Sequence, residues 1–395
     1  MIYAPVYIPT LNRYEHFKEC LESLERCTGA DKTTVYIGLD YPPSEKYIDG
    51  WRKIDGYLRE KECFNKFAQL VVFRRKHNCG VGNPNSNAML LKGYVSEKHD
   101  RWISSEDDNV FSPNFLEYIN KGLEKYENDP TIFAIVGYSH PYHFKYLQNN
   151  HFRHNTDLSA WGFGQWKNKW DDFTQYIENQ GLRKSFSLRN VVKAKRHGWL
   201  RLFDYLHYCH HRGYIWLTDG VMSTYMIVND KYVIVPTLSK VRNNGWDGSG
   251  NSSQMAMSLD GKLAERHMSQ EIDSNSHFDY VGDDKTYMEY NNKVAVKESD
   301  VPMSFWDFSG KILKLMTRSL FKGWKRVFTY LYYIFFVSVI LVTSILHTIL
   351  TEIPTWYFLC CGVYLAGCIL NHPRFGKSRL LLLWRLWCFV FLFHR

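Results

Sequence analysis

Three adjacent carboxylates, Glu106, Asp107 and Asp108, lie between two apolar segments and constrain the fold more than any other feature of the chain. Like charges this close repel and raise one another's pKa unless a cation neutralises them. A divalent cation bound to a diphosphate is the expected neutraliser, because hard cations prefer carboxylate oxygen. The run 102–105 predicts a strand, and Ser-Pro-Asn-Phe at 112–115 predicts a helix cap with proline in the first turn. The acids would then lie on a strand-to-helix turn, where α/β folds bind ligands.

The triplet taken alone leaves a second interpretation open. An acidic run is commonly a solvated loop or the start of a helix. The Trp102-Ile103 strand start and the Val110-Phe111 pair flank these acids, and both look bound for the core. This context favours a buried acidic site.

The first 300 residues alternate apolar runs with helically spaced segments and predict one α/β domain. Strands are expected at 6–9, 34–40, 70–73, 101–105, 132–137, 214–217 and 233–236, with a first helix over 12–26. This alternation implies a largely parallel sheet with its site at the carboxyl ends of the strands. The Gly-, Asn- and Ser-rich stretch 243–251 predicts a flexible loop, and residues 268–300 predict a polar covering segment.

The C-terminal region predicts attachment to a membrane. Residues 327–351 carry no charge and are long enough to cross a bilayer as a helix. A second apolar run covers 355–370, and the positive-inside rule makes the two a hairpin with both ends cytoplasmic. The third run, 380–393, is interrupted by Arg385 and is expected at the interface. A buried helix pair of a soluble protein is the alternative.

The distribution of charge and of cysteine adds to these predictions of domains and membrane attachment. The net charge of +9 is concentrated in the C-terminal region, including 311–326, which favours an anionic membrane surface over nucleic acid. The nine cysteines show no CxxC pairing and are expected to be reduced. The N-terminal residues do not have the pattern of a signal peptide. We therefore expect a domain at 1–300, a basic amphipathic juxtamembrane segment at 301–326, and membrane-associated helices at 327–395. The expected location is the inner membrane, with the first domain on the cytoplasmic face.

Four segments, taken in order, carry a family resemblance. They are VYIPTLNR at 6–13, EDDNVFSPNFLEYI at 106–119, SAWGFGQWKNKWDDF at 159–173 and HHRGYIWLTDGVMSTYM at 210–226. Together they resemble the nucleotide-sugar glycosyltransferases of the GT-A fold, in particular bacterial family 2 enzymes and the N-acetylglucosaminyltransferase I group. The resemblance covers roughly the first 250 residues. It implies a Rossmann-like, mixed, mainly parallel sheet with flanking helices, and an inverting transfer of a sugar.

The resemblance also implies a metal site. Asp108 would coordinate Mn²⁺ or Mg²⁺, Asp107 would contact the ribose or a metal-bound water, and Glu106 would support them. A metal ion stabilises the negative charge that develops on the leaving phosphates. His277 lies where some of these enzymes place a metal-ligating histidine, although an isolated histidine is usually a surface residue.

Nucleotide contacts are expected around the first strands. Thr10 and Arg13 lie on the first loop, where the family contacts the nucleotide, and Asp40 resembles the acid that reads the base. Arg242 is a candidate for the diphosphate. Asp40 is equally consistent with a turn aspartate before a Pro-Pro pair, and Arg13 with a solvated charge at a helix start. The short Gly-x-Gly within 78–83 fits a loop near the donor.

Inversion requires a base that deprotonates the acceptor hydroxyl. Asp219 is the candidate, because it follows the apolar run 214–217 and precedes a glycine. A helix N-cap is the alternative role for this residue. The pair Asp171-Asp172 is the second choice, in a charged stretch typical of a solvated helix start.

Acceptor contacts are assigned to the Trp-Gly segment, namely Trp161, Gly162, Phe163 and Trp166. Their aromatic rings would stack on sugar rings, and packing in the core is the alternative, expected for at least one of them.

These predictions describe a membrane-anchored, metal-dependent glycosyltransferase acting on a UDP-sugar and a lipid-linked or polysaccharide acceptor in bacterial surface-glycan synthesis. A nucleotidyltransferase is one alternative, but the loop at 9–13 has no glycine. A non-catalytic carbohydrate-binding or scaffold protein is the other.

Overall fold

The structure is a computed structural model that describes residues 2–81, 83–140, 142–144, 149–155, 158–179, 219–250, 261–282 and 295–297. Within these ranges the side chains of 142–144, 219–220, 261–263, 266 and 295–297 are not described. The predicted strand at 214–217 and the segments 301–326 and 327–395 lie outside the described residues. In the part of the chain that is described, no helix combines the length and the apolar character that crossing a bilayer requires.

Strands and helices alternate along the first half of the chain. The strands are β1 (Val6–Thr10), β2 (Thr34–Leu39), β3 (Gln69–Arg74), β4 (Arg101–Ser104), β5 (Asn109–Phe111), β6 (Ile132–Val136), β7 (Tyr142–Phe144), β8 (His151–His154), β9 (Phe163–Trp166), β10 (Tyr232–Pro236), β11 (Val241–Asn243) and β12 (Ala295–Lys297). The α-helices are α1 (Tyr14–Glu25), α2 (Ile48–Cys63), α3 (Asn87–Lys98), α4 (Phe115–Lys125), α5 (Lys167–Glu178), α6 (Asp219–Val228) and α7 (Gly261–Ser269).

Eight strands form the central sheet in the order β3-β2-β1-β4-β9-β6-β10-β8. The pairs β3-β2, β2-β1, β1-β4 and β6-β10 are parallel, whereas β9 runs antiparallel to β4 and β6, and β8 runs antiparallel to β10. The sheet is therefore mixed and mainly parallel, as predicted, and fits a GT-A-like architecture. Two small antiparallel pairs, β5-β11 and β7-β12, lie outside it.

Burial of the early strands in the core explains why they could be predicted from the sequence. Val6, Tyr7 and Ile8 of β1 are all buried, as expected for a parallel strand covered on both faces. In α1 the buried residues Phe17, Leu21 and Leu24 follow helical spacing and form one apolar face. The predicted strands at 6, 34, 70, 101, 132 and 233 each match an observed strand within two residues.

The segment after the acidic triplet differs from the prediction. The triplet is followed by the short strand β5 rather than by a helix, and α4 begins only at Phe115. Val110 and Phe111 are buried, and pairing with β11 supplies their backbone partners. Pro113 consequently lies in the connecting turn. The acids occupy a strand-to-strand turn at the edge of the sheet.

Candidate active site

Adjacent parallel strands bring the first loop to the acidic turn. β1 and β4 are neighbours in register, so both carboxyl ends meet at one edge of the sheet. Thr10, the last residue of β1, donates a hydrogen bond from Oγ1 to Asp107 Oδ2 at 2.9 Å. Asp107 and Asp108 are each only 6% exposed. Two carboxylates are thus held out of water at the place where the sequence predicted a ligand site.

Arg13 supplies the positive charge at this site. Its Nη2 forms an ion pair with Asp107 Oδ1 and lies 2.8 Å from Asp108 Oδ2. Burial opposes the charged form of Arg13, but the two carboxylates outweigh burial and raise its pKa. Burial, together with the neighbouring charge of Asp107, raises the pKa of Asp108 despite Arg13 and Asn243. One guanidinium facing two carboxyl groups leaves the site short of positive charge.

Strand β11 and the loop after it close the site from the other side. Asn243 donates from Nδ2 to Asp108 Oδ1 at 2.6 Å, and the backbone N–H of Asn244 donates to the Asp108 carbonyl at 2.9 Å. Gly245 packs so closely that a Cβ there would overlap Asp108 Oδ2. The stretch predicted as a flexible loop is therefore anchored to the site over 243–245. Asn243 and Gly245 were missed, because a three-residue strand has too little periodicity to be recognised.

The opposite end of this loop is anchored to α1. His16 Nε2 lies 3.2 Å from Asp247 Oδ2 and 3.3 Å from the carbonyl oxygen of Asn244. Burial raises the pKa of Asp247, but hydrogen bonds from Ser249 and the charges of His16 and Arg13 lower it overall. Helix α1 therefore holds both the arginine and the loop that surround the carboxylates.

The carboxylate pair fits a metal–diphosphate complex better than a metal enclosed by protein ligands. Among the residues with described positions, no group of three or more His, Cys, Asp or Glu side chains is arranged to hold a metal ion. Magnesium bound to phosphates normally takes only one or two carboxylates from the protein, with phosphate and water oxygens as the other ligands. Asp107 and Asp108 provide such a pair. The carbonyl oxygen of the third acid, Glu106, accepts hydrogen bonds from Ser105 and Cys20.

His277 does not join this pair. Its imidazole is 75% exposed, and Nδ1 lies 3.3 Å from Glu117 Oε2 on α4. Its carbonyl oxygen accepts a hydrogen bond from Asn114 Nδ2, because the segment around it runs across the start of α4. Metal ligation by His277 stays a prediction.

Asp40 organises the loop at 78–83. Its Oδ1 accepts hydrogen bonds from the backbone N–H groups of Tyr41 and Cys79, both at 2.9 Å. Its Oδ2 accepts one from Asn78 Nδ2 at 3.3 Å, and its own N–H donates to the Thr10 carbonyl. The turn role that the sequence left open is therefore real. The same contacts place residues 78 and 79, at the start of the predicted Gly-x-Gly loop, beside the end of β1. Recognition of a base by Asp40 stays a prediction.

Arg242 occupies the other face of β11. It lies between the buried residues Val241 and Asn243, so its side chain leaves the strand on the opposite side from Asn243. Its Nη2 lies 3.7 Å from Glu19 Oε1, and Nε donates to Asn244 Oδ1 at 3.2 Å. For the side chains that the structure describes, no ion pair joins Arg242 to Asp107 or Asp108.

Trp161 belongs to an aromatic cluster that continues from the acidic site. We define this cluster as Tyr138, His140, Trp161, Trp246 and His267. The Trp161 ring lies 4.6 Å from Tyr138 and 5.9 Å from Trp246, both edge to face, and Trp246 stacks on His267 at 4.6 Å. Trp246 directly follows the glycine that packs on Asp108. The sequence pointed to Trp161 but missed Trp246 and His267, which lie about 100 residues further along the chain.

The other members of the Trp-Gly segment serve the fold. Phe163 and Trp166 are buried in β9, and Trp166 Nε1 donates to the Leu123 carbonyl at 3.1 Å. Gly162 has φ of +76°, and its carbonyl accepts a hydrogen bond from Gly137 N–H at 2.7 Å. Trp161, which is partly exposed, is the segment's remaining candidate for contact with a ligand.

The predicted base, Asp219, is the first described residue of its segment. Helix α6 begins at Asp219, but the side chain of Asp219 and the chain before it lie outside the described residues. The second choice, Asp171, forms an exposed ion pair with Lys167 at 2.6 Å on α5. This contact agrees with the solvated helix start that the sequence indicated.

Comparisons with known proteins give structural likenesses only. No protein-family model matches the chain, and no curated protein matches it. The mannosyltransferase PcManGT from Pyrobaculum calidifontis, solved with GDP-Man and Mn²⁺, has 16% identity and a TM-score of 0.24, and the match covers 34% of each chain. S. aureus TarS 1-349 has 12% identity and a TM-score of 0.34, with 69% of this chain and 67% of that chain covered. Mouse xyloside xylosyltransferase 1 has 9% identity and a TM-score of 0.31, with 64% and 92% covered.

The first and the third of these neighbours are glycosyltransferases by name. The chain spans about a third of the mannosyltransferase with which it was compared. TM-scores below 0.5 are too low to carry an inference about activity, so the site geometry has to carry it.

Proposed function

We propose that the chain is a glycosyltransferase that moves a sugar from a nucleotide-sugar donor to an acceptor hydroxyl. The observation that carries this proposal is the buried Asp107-Asp108 pair at the carboxyl end of β4, beside Thr10 and Arg13 from the end of β1. Acidic pairs at the carboxyl ends of parallel strands suit a metal-bound diphosphate. The finer proposal is a UDP-sugar donor and an inverting reaction that depends on Mn²⁺ or Mg²⁺.

Each group at the carboxylate site has a definable task. Thr10 and Asn243 fix the orientation of Asp107 and Asp108, so the acids present a fixed pair of oxygens. A divalent cation bound there would stabilise the negative charge that develops on the leaving diphosphate. Arg13 is, among the side chains that the structure describes, the cation paired with both acids. It suits phosphate recognition, because its planar group donates several hydrogen bonds.

The aromatic cluster supports a carbohydrate acceptor. Trp246 follows Gly245, which packs on Asp108, and the Trp161 ring lies 5.9 Å from Trp246. Both tryptophans are partly exposed. Aromatic faces pack against the apolar faces of sugars, and holding an acceptor in this way would orient its hydroxyl for attack. We propose Asp219 as the base that takes the hydroxyl proton.

The acceptor and the location of the protein are proposed from the sequence. A lipid-linked or polysaccharide acceptor of bacterial surface-glycan synthesis agrees with the basic segment 311–326 and the uncharged run 327–351. Together these would hold the domain at the cytoplasmic face of the inner membrane.

A nucleotide-release assay tests the proposal. The full chain is supplied with UDP-, GDP- and dTDP-sugars together with Mn²⁺ or Mg²⁺, with and without acceptor extracts. We expect release from one donor, requiring metal and lost in Asp108→Asn. Asp279→Asn is the matched control, because Asp279 is 82% exposed and pairs with Lys121. Absence of release from every donor would favour the binding or scaffold alternative, and release that survives Asp108→Asn would refute the assigned site.

A further inference from the structure

Arg13 occupies the carboxylate oxygens that a metal ion would need. Thr10 donates a hydrogen bond to Asp107 Oδ2, and Asn243 donates one to Asp108 Oδ1. The remaining oxygens, Asp107 Oδ1 and Asp108 Oδ2, both face the Nη2 of Arg13. A cation bridging the two acids through the oxygens that accept no hydrogen bond from Thr10 or Asn243 would therefore use the same two oxygens as the guanidinium.

We propose that Arg13 is a built-in competitor of the divalent cation, displaced when a nucleoside diphosphate gives its guanidinium another partner. Metal and nucleotide would then bind cooperatively, each favouring the other. This inference rests on the proposed function, because it concerns the same carboxylate pair and the same donor.

The charges at the site favour such an exchange. Two carboxylates and one guanidinium leave the cluster with a formal charge of −1, whereas a dication in place of Arg13 would balance both acids. At about 3–4 Å a charge pair is only partly screened, so the imbalance is significant. The guanidinium is held by ion pairs with the two acids, and no hydrogen bond to a neutral side chain is found among the groups described around it.

The backbone of Arg13 is fixed while its side chain has room to turn outward. The Arg13 carbonyl accepts a hydrogen bond from Phe17 N–H at 2.9 Å, which anchors the residue at the start of α1. Its side chain retains 19% of its exposure, more than either acid. A diphosphate next to the acids would offer several anionic oxygens, and arginine binds phosphate in a bidentate, charge-assisted manner. The nucleotide would thereby release the two carboxylate oxygens to the metal.

The structure predicts a measurable coupling. If the nucleotide raises the affinity for the metal by some factor, the metal must raise the affinity for the nucleotide by the same factor. Couplings of this kind typically amount to about 5- to 150-fold. Removing Arg13 should reduce the coupling, because only the direct contact between the diphosphate and the metal then remains.

Binding of Mn²⁺ to the full chain, followed by electron paramagnetic resonance, tests this. Titrations are made with Mn²⁺ alone and with UDP or GDP present, on wild type, Arg13→Met and Arg101→Met. We expect Mn²⁺ alone to bind Arg13→Met at least about 10-fold more tightly than wild type, with a smaller nucleotide effect. Arg101→Met removes the same unit charge from the opposite end of β4, where the Arg101 guanidinium donates to the Ile2 carbonyl, so it should change the Mn²⁺ affinity by less than about 3-fold.

Each other outcome is decisive. Mn²⁺ affinity in Arg13→Met that equals or falls below that of wild type would overturn the competition. If Arg13→Met does not fold, Arg13→Lys takes its place, because an ammonium group cannot present the same planar fork to both acids. A smaller tightening is then expected, and an unchanged affinity overturns the inference. If no protein binds Mn²⁺ even with nucleotide, the metal-dependent function itself fails, whereas tight nucleotide-independent binding by wild type refutes only the role of Arg13.

Discussion

Two buried ion-pair clusters lie at the two ends of β11, and they are neutralised differently. Before the strand, Lys240 pairs with Asp273, one positive charge against one negative charge. After the strand, Asn243 leads to Asp107 and Asp108, which share the single guanidinium of Arg13. The first cluster is balanced, whereas the second has one negative charge in excess.

The groups that surround the two ion-pair clusters also differ. Asp273 also accepts hydrogen bonds from Asn114 and Asn275, and Lys240 Nζ lies 4.6 Å from the Phe278 ring. These contacts hold the segment after α7 against the start of α4 and β11. Beside the acidic cluster, Gly245 leads directly to the partly exposed Trp246. The balanced buried pair thus acts as a brace, and the unbalanced cluster is the site where we propose that another cation binds.

The largest expected effect comes from breaking the brace. Asp273→Asn leaves the Lys240 ammonium buried without its counterion, and breaking a buried pair in this way typically costs about 3–5 kcal/mol. The free energy of unfolding of the full chain, measured by urea titration, should fall by that amount. A loss below about 1 kcal/mol would show that the pair is not a brace and would remove the contrast between the clusters.

An aspartate-to-asparagine substitution at the acidic cluster should affect nucleotide release strongly and stability little. Burial and the Asp107 charge raise the pKa of Asp108, so the ionised carboxyl costs stability at neutral pH. Asp108→Asn should therefore change the free energy of unfolding by less than about 1 kcal/mol, or increase it. Nucleotide release should fall by roughly 10²-fold or more, because charge stabilisation in the transition state is lost. Strong destabilisation by Asp108→Asn would make this cluster a second brace.

A smaller effect, on the acceptor KM, is expected from substitutions in the aromatic cluster. Trp246 beside the acidic site is partly exposed, whereas Phe278 beside the brace is buried. Trp246→Ala should raise the acceptor KM by about 5- to 10-fold, the range expected for one aromatic contact, with little change in donor hydrolysis. Trp246→Phe should restore most of the lost affinity. If both variants lose donor hydrolysis to the same extent, Trp246 acts on the donor side.

The smallest effect on the free energy of unfolding is expected at the pair of Asp129 and Arg153, which is balanced in charge but partly exposed. Asp129 accepts hydrogen bonds from Thr131 and pairs with Arg153 at 2.9 Å. Burial raises the pKa of Asp129, but these partners lower it overall. The resulting stability is present above the unfolded pKa of about 3.9 and is lost as pH falls through the lower folded value. Asp129→Asn should cost only about 0.5–1 kcal/mol at pH 7, and its difference from wild type should shrink below pH 4. A constant difference across that range would mean that the Asp129 charge contributes nothing.

Much of the fold could be predicted, because buried parallel strands are continuous apolar runs. β1, β2, β3, β4 and β6 were recognisable on that basis, and α1 by its helical spacing. The meeting of Thr10 and Arg13 with Asp107 followed from the same logic, since parallel strand ends share one edge of the sheet.

The remainder depends on contacts between distant parts of the chain. Asn243 reaches Asp108 across 135 positions of sequence, through a pairing of two three-residue strands. Spacing alone gave no indication of this pairing, nor of Trp246 stacking on His267. The contact of His277 with Glu117 could not be predicted for the same reason, because only the path of the segment across α4 decides it.

Ligand-induced stabilisation tests the central claim most directly. Thermal unfolding of wild type, Asp108→Asn and Asp273→Asn is measured with and without Mn²⁺ and the nucleotide selected by the release assay. Ligands at about 100 times Kd add roughly 2.7 kcal/mol, a shift of several degrees for a domain of this size. We predict that shift for wild type and, from a lower starting Tm, for Asp273→Asn, but no shift for Asp108→Asn. An equal shift in Asp108→Asn would contradict the assignment of the unbalanced acidic cluster as the donor and metal site.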